Sequence, residues 1–192
     1  MCAVGLAGLA AAFAGVEGPV PFDTWADGIV IALFGDDRQV LRPLVRLGSP
    51  AWIPPFLVAI VLVSLALRRP RVALANVLGL AVTAGAVTVL QPTIGRLLET
   101  GYALPSGHTA GAVAFVAGTS LLAMSLAGRW PVAVGAGTAA ALAGTAAVLG
   151  VSLVANGLHY TSDILAGVCT AIIAMYGSAL LVDRLAERRS RE

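Results

Sequence analysis

Two histidines are the only imidazoles in the chain, and both stand beside residues that could work with them. His108 closes the run PSGH at Pro105 to His108, and His159 opens HYTSD, with Asp163 four residues on. Residues four apart share a face of any helix that contains them, so Asp163 can reach the His159 ring. A carboxylate on one ring nitrogen fixes the tautomer and leaves the lone pair of the other nitrogen free. His159 therefore reads as a nucleophile or general base oriented by Asp163, and His108 as the group that supplies a proton.

The residues before His108 read as an anion site. Pro105 restricts Leu104 to extended backbone, and Ser106 suits the cap of a helix that starts near Gly107. Such a start presents free N–H groups and the positive end of the helix dipole, and Gly107 lets a bulky group such as phosphate come close.

The elements that position these groups are membrane helices. Apolar residues make up 58% of the 192 and charged residues 11%. A soluble domain of this length needs more polar surface than that. The sequence predicts an all-α polytopic bundle forming a single domain over 1–192. Six spans are expected, at Met1 to Val16, Trp52 to Leu67, Val72 to Leu90, Gly107 to Ala127, Pro131 to Ala155 and Asp163 to Val182. The first resembles the apolar core of a signal peptide but has no basic residues before it, and it is read as a helix.

Lysine is absent, and Arg68, Arg69, Arg71, Arg129, Arg184, Arg188, Arg189 and Arg191 all fall on one side of those spans. By the positive-inside rule that side is cytoplasmic, with both termini and a basic tail at 183–192, and the two histidines share the outer face. Trp52, Trp130, Tyr102 and Tyr160 flank the spans as interface anchors. Cys2 and Cys169 have no CxxC spacing and read as packing residues.

Between the first two spans, residues 17–51 read as an amphipathic segment lying in the membrane interface. Phe22, Trp25, Ile29 and Leu33 recur at helical spacing, followed by Arg38, Arg42 and Arg46 at every fourth position. Pro43 is expected to interrupt that arginine stripe.

At these residues the chain resembles the type 2 phosphatidic acid phosphatase (PAP2) superfamily of membrane lipid phosphatases, over about residues 50 to 182. The family's motifs are K-x6-R-P, P-S-G-H and S-R-x5-H-x3-D. PSGH matches the second in full, and Ser152 with HYTSD gives most of the third. The resemblance implies metal-independent hydrolysis of a lipid phosphate or pyrophosphate, without a cofactor or nucleic-acid partner. His159 would form a phosphohistidine, His108 would protonate the leaving group, Asp163 would orient His159, and Ser106 and the Gly107 N–H would hold phosphate oxygens.

Departures from the motifs carry their own expectation. Leu153 stands where the third motif has arginine, and Gln91, Leu98 and Glu99 where the first has lysine, arginine and proline. Arg96 is the one basic residue between Arg71 and PSGH. It is expected to clamp the phosphate, with Gln91 as a neutral hydrogen-bonding partner and Arg42 or Arg46 as further candidates. Cations matter because phosphoryl transfer depends on balancing the charge of the equatorial oxygens. Their loss keeps a second reading in view, a non-catalytic lipid-phosphate binder or transporter on the same helices. A histidine-ligated metal or haem site is disfavoured, because two histidines and one carboxylate are few ligands.

Overall fold

A computed structural model of the chain describes residues 2–98 and 101–191. Its helices are α1 (Cys2–Phe13), α2 (Pro21–Phe34), α3 (Arg38–Leu47), α4 (Ile53–Ala66), α5 (Pro70–Ile94), α6 (Gly107–Leu126), α7 (Pro131–Ala155) and α8 (Thr161–Arg189), with a 3-10 turn at Pro50–Trp52. Pro70 and Pro131 open α5 and α7 at first-turn positions, where the missing N–H has no intrahelical partner to lose. Gly95, in the left-handed region at φ 71°, ends α5.

Five stretches are long and apolar enough to cross a bilayer: the helical path Arg38–Ala66, then α5, α6, α7 and α8. The expected sixth span is shorter than the sequence reading made it. With 12 residues, α1 rises only about 18 Å against a hydrocarbon core of roughly 30 Å. The chain turns back after Phe13, where the Gly15 N–H donates to the Ile94 carbonyl at 2.8 Å and Glu17 bridges to Leu97. Past Val182, the expected tail is a continuation of α8 as far as Arg189.

Leu97–Leu98 and Gly101–Tyr102 pair as a short antiparallel hairpin that the sequence reading did not contain. Glu99, one of its motif positions, lies outside the described residues. Pro43 does not interrupt α3, which runs through it; the break falls earlier, between Phe34 and Arg38.

In α2 the expected apolar residues Phe22, Trp25, Ile29 and Leu33 point outward, while Asp23 and Asp27 are buried against the bundle. The helix thus turns its carboxylates inward and its apolar side out. Cys2 and Cys169 are both free and half-buried, on α1 and α8, which pack together.

At the centre α5, α6 and α8 pack through Leu80, Val113, Ala114, Ala117, Ala171 and Met175. Small residues let the helices approach closely without a hydrophobic drive from water, as membrane interfaces require. The arginine-rich turns after α4 and α6 and the end of α8 lie at one end of the bundle. The starts of α6 and α8 lie at the other, and they carry the histidines.

Candidate active site

The PSGH and HYTSD segments are joined backbone to backbone. The Ser106 N–H donates to the Asp163 carbonyl at 3.0 Å, tying the start of α6 to the first turn of α8. Gln91, on α5, donates its side-chain amide to the Pro105 carbonyl at 3.0 Å. One of its two amide N–H groups is thereby engaged on the loop. One turn further along α8, a Cβ on Gly167 would lie 2.7 Å from the Ser106 carbonyl oxygen, so only glycine permits this approach.

Ser106 caps α6 as expected: its buried hydroxyl accepts the Thr109 N–H at 3.3 Å. By helix geometry the N–H groups of Gly107 and His108 have no carbonyl four residues back within the helix. They remain at the positive end of the dipole, next to the imidazole of His108.

The two imidazoles meet across this opening, with ring centroids 6.2 Å apart and planes at 62°. His159 Nδ1 faces Asp163 Oδ2 at 3.5 Å, an ion-pair separation longer than a hydrogen bond. Such contacts tighten when substrate arrives. With Nδ1 turned to the carboxylate, Nε2 is the nitrogen with a free lone pair. Asp163 itself is fixed from two sides. Its Oδ2 accepts the Tyr160 N–H at 2.9 Å, the reach-back half of a capping box, and its Oδ1 accepts from Arg96 Nη1 at 2.9 Å.

Arg96 is where the geometry departs most from expectation. Its side chain is fully buried, and both terminal nitrogens are engaged. Nη1 donates to Asp163 Oδ1 and to Ser162 Oγ, and Nη2 to Asp23 Oδ2 and, at 3.2 Å, to the Gly18 carbonyl. The guanidinium carbon lies 4.4 Å from the Phe13 ring centroid and 4.6 Å from that of Tyr160. The group expected to clamp phosphate instead holds the carboxylate behind His159. Tyr160, expected as an interface anchor, forms one wall of its pocket.

Two residues not expected from the sequence, Asp23 and Asp27, dock α2 onto the first turn of α8. Asp23 Oδ1 accepts the Ser162 N–H at 3.0 Å, and Asp27 Oδ1 accepts the Thr161 N–H at 3.0 Å and the Thr161 hydroxyl. Burial pushes the Asp27 carboxyl above the ordinary range, with the Thr161 hydrogen bonds opposing. The available signal was a pair of carboxylates four apart inside an apolar run.

The motif positions lacking cations are occupied by structural residues. Leu153 is fully buried in an apolar cluster, and Ser152 donates its hydroxyl to the Val148 carbonyl. Two other arginines lie near the histidines. Arg42 and Arg46, one turn apart on α3, line a cavity of about 420 Å³ together with Asn156 and Leu158, the residue next to His159. Both are exposed, and neither pairs with a carboxylate among the described residues.

Below the histidines runs an apolar groove of about 510 Å³. Gly111, Ala112 and Phe115 form its α6 wall, on the face of the helix that carries His108. Gly48, against the His108 backbone, marks its upper end.

No curated protein sequence matches the chain. A solved structure, described as the first transmembrane PAP2 type phosphatidylglycerolphosphate phosphatase from Bacillus subtilis, superposes with a TM-score of 0.72 at 18% identity. The match covers 97% of this chain and 94% of that one, and at this identity it speaks to the fold. The sequence model of the PAP2 superfamily matches residues 56–187, most of the chain and all of the HYTSD and PSGH segments, and the chain belongs to that superfamily.

Proposed function

We propose that the protein is a metal-independent phosphatase acting on a lipid phosphate or pyrophosphate at the outer membrane face. The observation that carries this reading is the pair of imidazoles 6.2 Å apart over the start of α6, at the top of an apolar groove. The phosphate sits at the Gly107 turn, its oxygens taking the free first-turn N–H groups, with Ser106 shaping the turn as its cap. Arg42 and Arg46 supply positive charge from the α3 side. The lipid tail lies in the groove.

His159 Nε2 attacks phosphorus, and the bond from phosphorus to the leaving oxygen breaks as His108 gives that oxygen a proton. Asp163 stabilises the positive imidazole of the phosphohistidine. Water then attacks phosphorus and passes a proton to His108. The phosphorus–nitrogen bond breaks, releasing inorganic phosphate and restoring both histidines.

The test is phosphate release by purified protein in detergent with EDTA present, across phosphatidylglycerolphosphate, phosphatidate and polyprenyl phosphates and pyrophosphates. Release from at least one, abolished in His159→Ala, is the expected result. The engagement of Arg96 and the loss of the motif cations favour a second reading, a non-catalytic binder of the same lipids. Saturable binding with no release across the panel would establish that reading instead.

A further inference from the structure

Resting on that reading of His159, we infer that Asp23 of α2 is a positioning residue for the reaction, acting on His159 through Arg96 and Asp163. Asp23 and Asp163 each occupy the third position of a helix and reach back toward its start, to the N–H groups of Val20 and Tyr160. Both carboxylates turn to the same guanidinium, one on each terminal nitrogen, and all three side chains are fully buried. The chain brings these groups together from positions 73 and 67 residues apart.

A buried ion pair has little value for stability alone, because the desolvation of both charges offsets most of their attraction. Here the charge balance has a chemical consequence. Arg96 paired with Asp163 alone would neutralise the carboxylate that faces His159. The second carboxylate draws on the same guanidinium, so two aspartates and one arginine leave one net negative charge. Asp163 thereby keeps a share of charge to stabilise the positive imidazole formed when His159 attacks phosphorus. The same contacts fix the plane of Asp163, whose Oδ1 is on Arg96 while Oδ2 faces the imidazole.

Asp27 provides the internal control. It also docks α2 onto the first turn of α8, but through Thr161 and, among the described residues, without a hydrogen bond to Arg96. If the α2 carboxylates only hold helices together, neutralising either one has the same kind of effect.

The experiment measures kcat and KM from pH 5 to 9 for the wild type, Asp23→Asn and Asp27→Asn, with EDTA and the best substrate of the panel. Asp23→Asn is expected to lower kcat about tenfold or more with KM within about twofold. Its acid limb should move to lower pH, because an imidazole that has lost negative charge nearby gives up its proton more readily. Asp27→Asn should keep kcat within about threefold and leave the limb nearly in place. Equal losses in the two variants, or an unmoved acid limb in Asp23→Asn, overturn the inference.

Arg96→Lys decides the matter if Asp23→Asn does not fold, since lysine keeps the charge but lacks the fork that serves two carboxylates. A fall in kcat at unchanged KM supports the positioning role. A rise in KM at unchanged kcat would make Arg96 a phosphate ligand and overturn it. An active His159→Ala would instead overturn the reading on which this inference rests.

Discussion

At the scale of the residue, the proposed mechanism gives the two histidines different duties, and the leaving group separates them. An alkoxide needs its proton in the transition state, whereas an aryl phosphate leaves with little help. General-acid catalysis is worth roughly 10² to 10⁴ in rate, so His108→Ala should lose about that much on a lipid alkyl phosphate and far less on an aryl phosphate. Equal losses on both would reassign His108. A second prediction concerns Asp27, whose carboxyl is raised by burial. A raised carboxyl favours the fold at low pH, and that contribution is lost as pH climbs through the folded-state value. Asp27→Asn keeps an oxygen for the Thr161 N–H and hydroxyl, so it should raise the melting temperature in detergent at pH 7.5. The gain should vanish near pH 4, and a gain of equal size at both would refute the sign. The histidines and Asp163 were legible in the sequence because polar groups stand out in apolar spans. The engagement of Arg96 with Asp23 was not, because Asp23 lies 73 residues away and the pattern around Arg96 says nothing of it.

At the scale of the element, the site depends on how closely the starts of α6 and α8 approach. Gly167 sets that distance: a methyl there would meet the Ser106 carbonyl at 2.7 Å and Thr109 Cβ at 3.1 Å, both on a turn that cannot swing aside. Gly167→Ala should push α8 outward, lengthen the contact of Ser106 with Asp163, and cost about 1–3 kcal/mol in stability as an overpacked position. Phosphate release should fall at least tenfold, the loss of about 1.4 kcal/mol in the transition state. Gly177, in the same helix, has open space where its Cβ would be, so Gly177→Ala should leave activity unchanged and stabilise slightly. If both variants behave like wild type, the approach at Gly167 is not what assembles the site. The long helices were legible from hydropathy, and Pro, Gly and Ser marked their ends. The length of α1 was not, because it is set by a hydrogen bond from Gly15 to Ile94 across the bundle. The inward carboxylates of α2 were hidden for the same reason: apolar spacing finds an amphipathic helix but cannot tell which face meets protein when the other meets lipid.

At the scale of the whole molecule, the five membrane-length stretches place the histidine pair at one end of the bundle, and the apolar groove opens below it. On the proposed function, a tail that moves from bilayer to groove gains little from leaving water, so the groove would select by shape and length. That makes it testable by filling. Gly144 lines the groove from α7, and a Cβ built there has no neighbour within 4 Å. Gly144→Leu therefore puts a side chain into the groove without strain, and replacing a mid-helix glycine should hold or raise stability by up to about 1 kcal/mol. Leucine would displace a length of tail equivalent to roughly two methylenes, worth up to about 1.6 kcal/mol for a monomeric substrate taken from water, or about tenfold in catalytic efficiency. Medium-chain alkyl phosphates below their micelle concentration should lose about that much in kcat/KM. A short aryl phosphate, which never enters the groove, should stay within about twofold of wild type. The readout is the ratio of the two efficiencies, measured on the same preparation so that differences in active fraction cancel. A ratio unchanged from wild type would place the tail elsewhere on the bundle and leave the groove without a part in substrate choice.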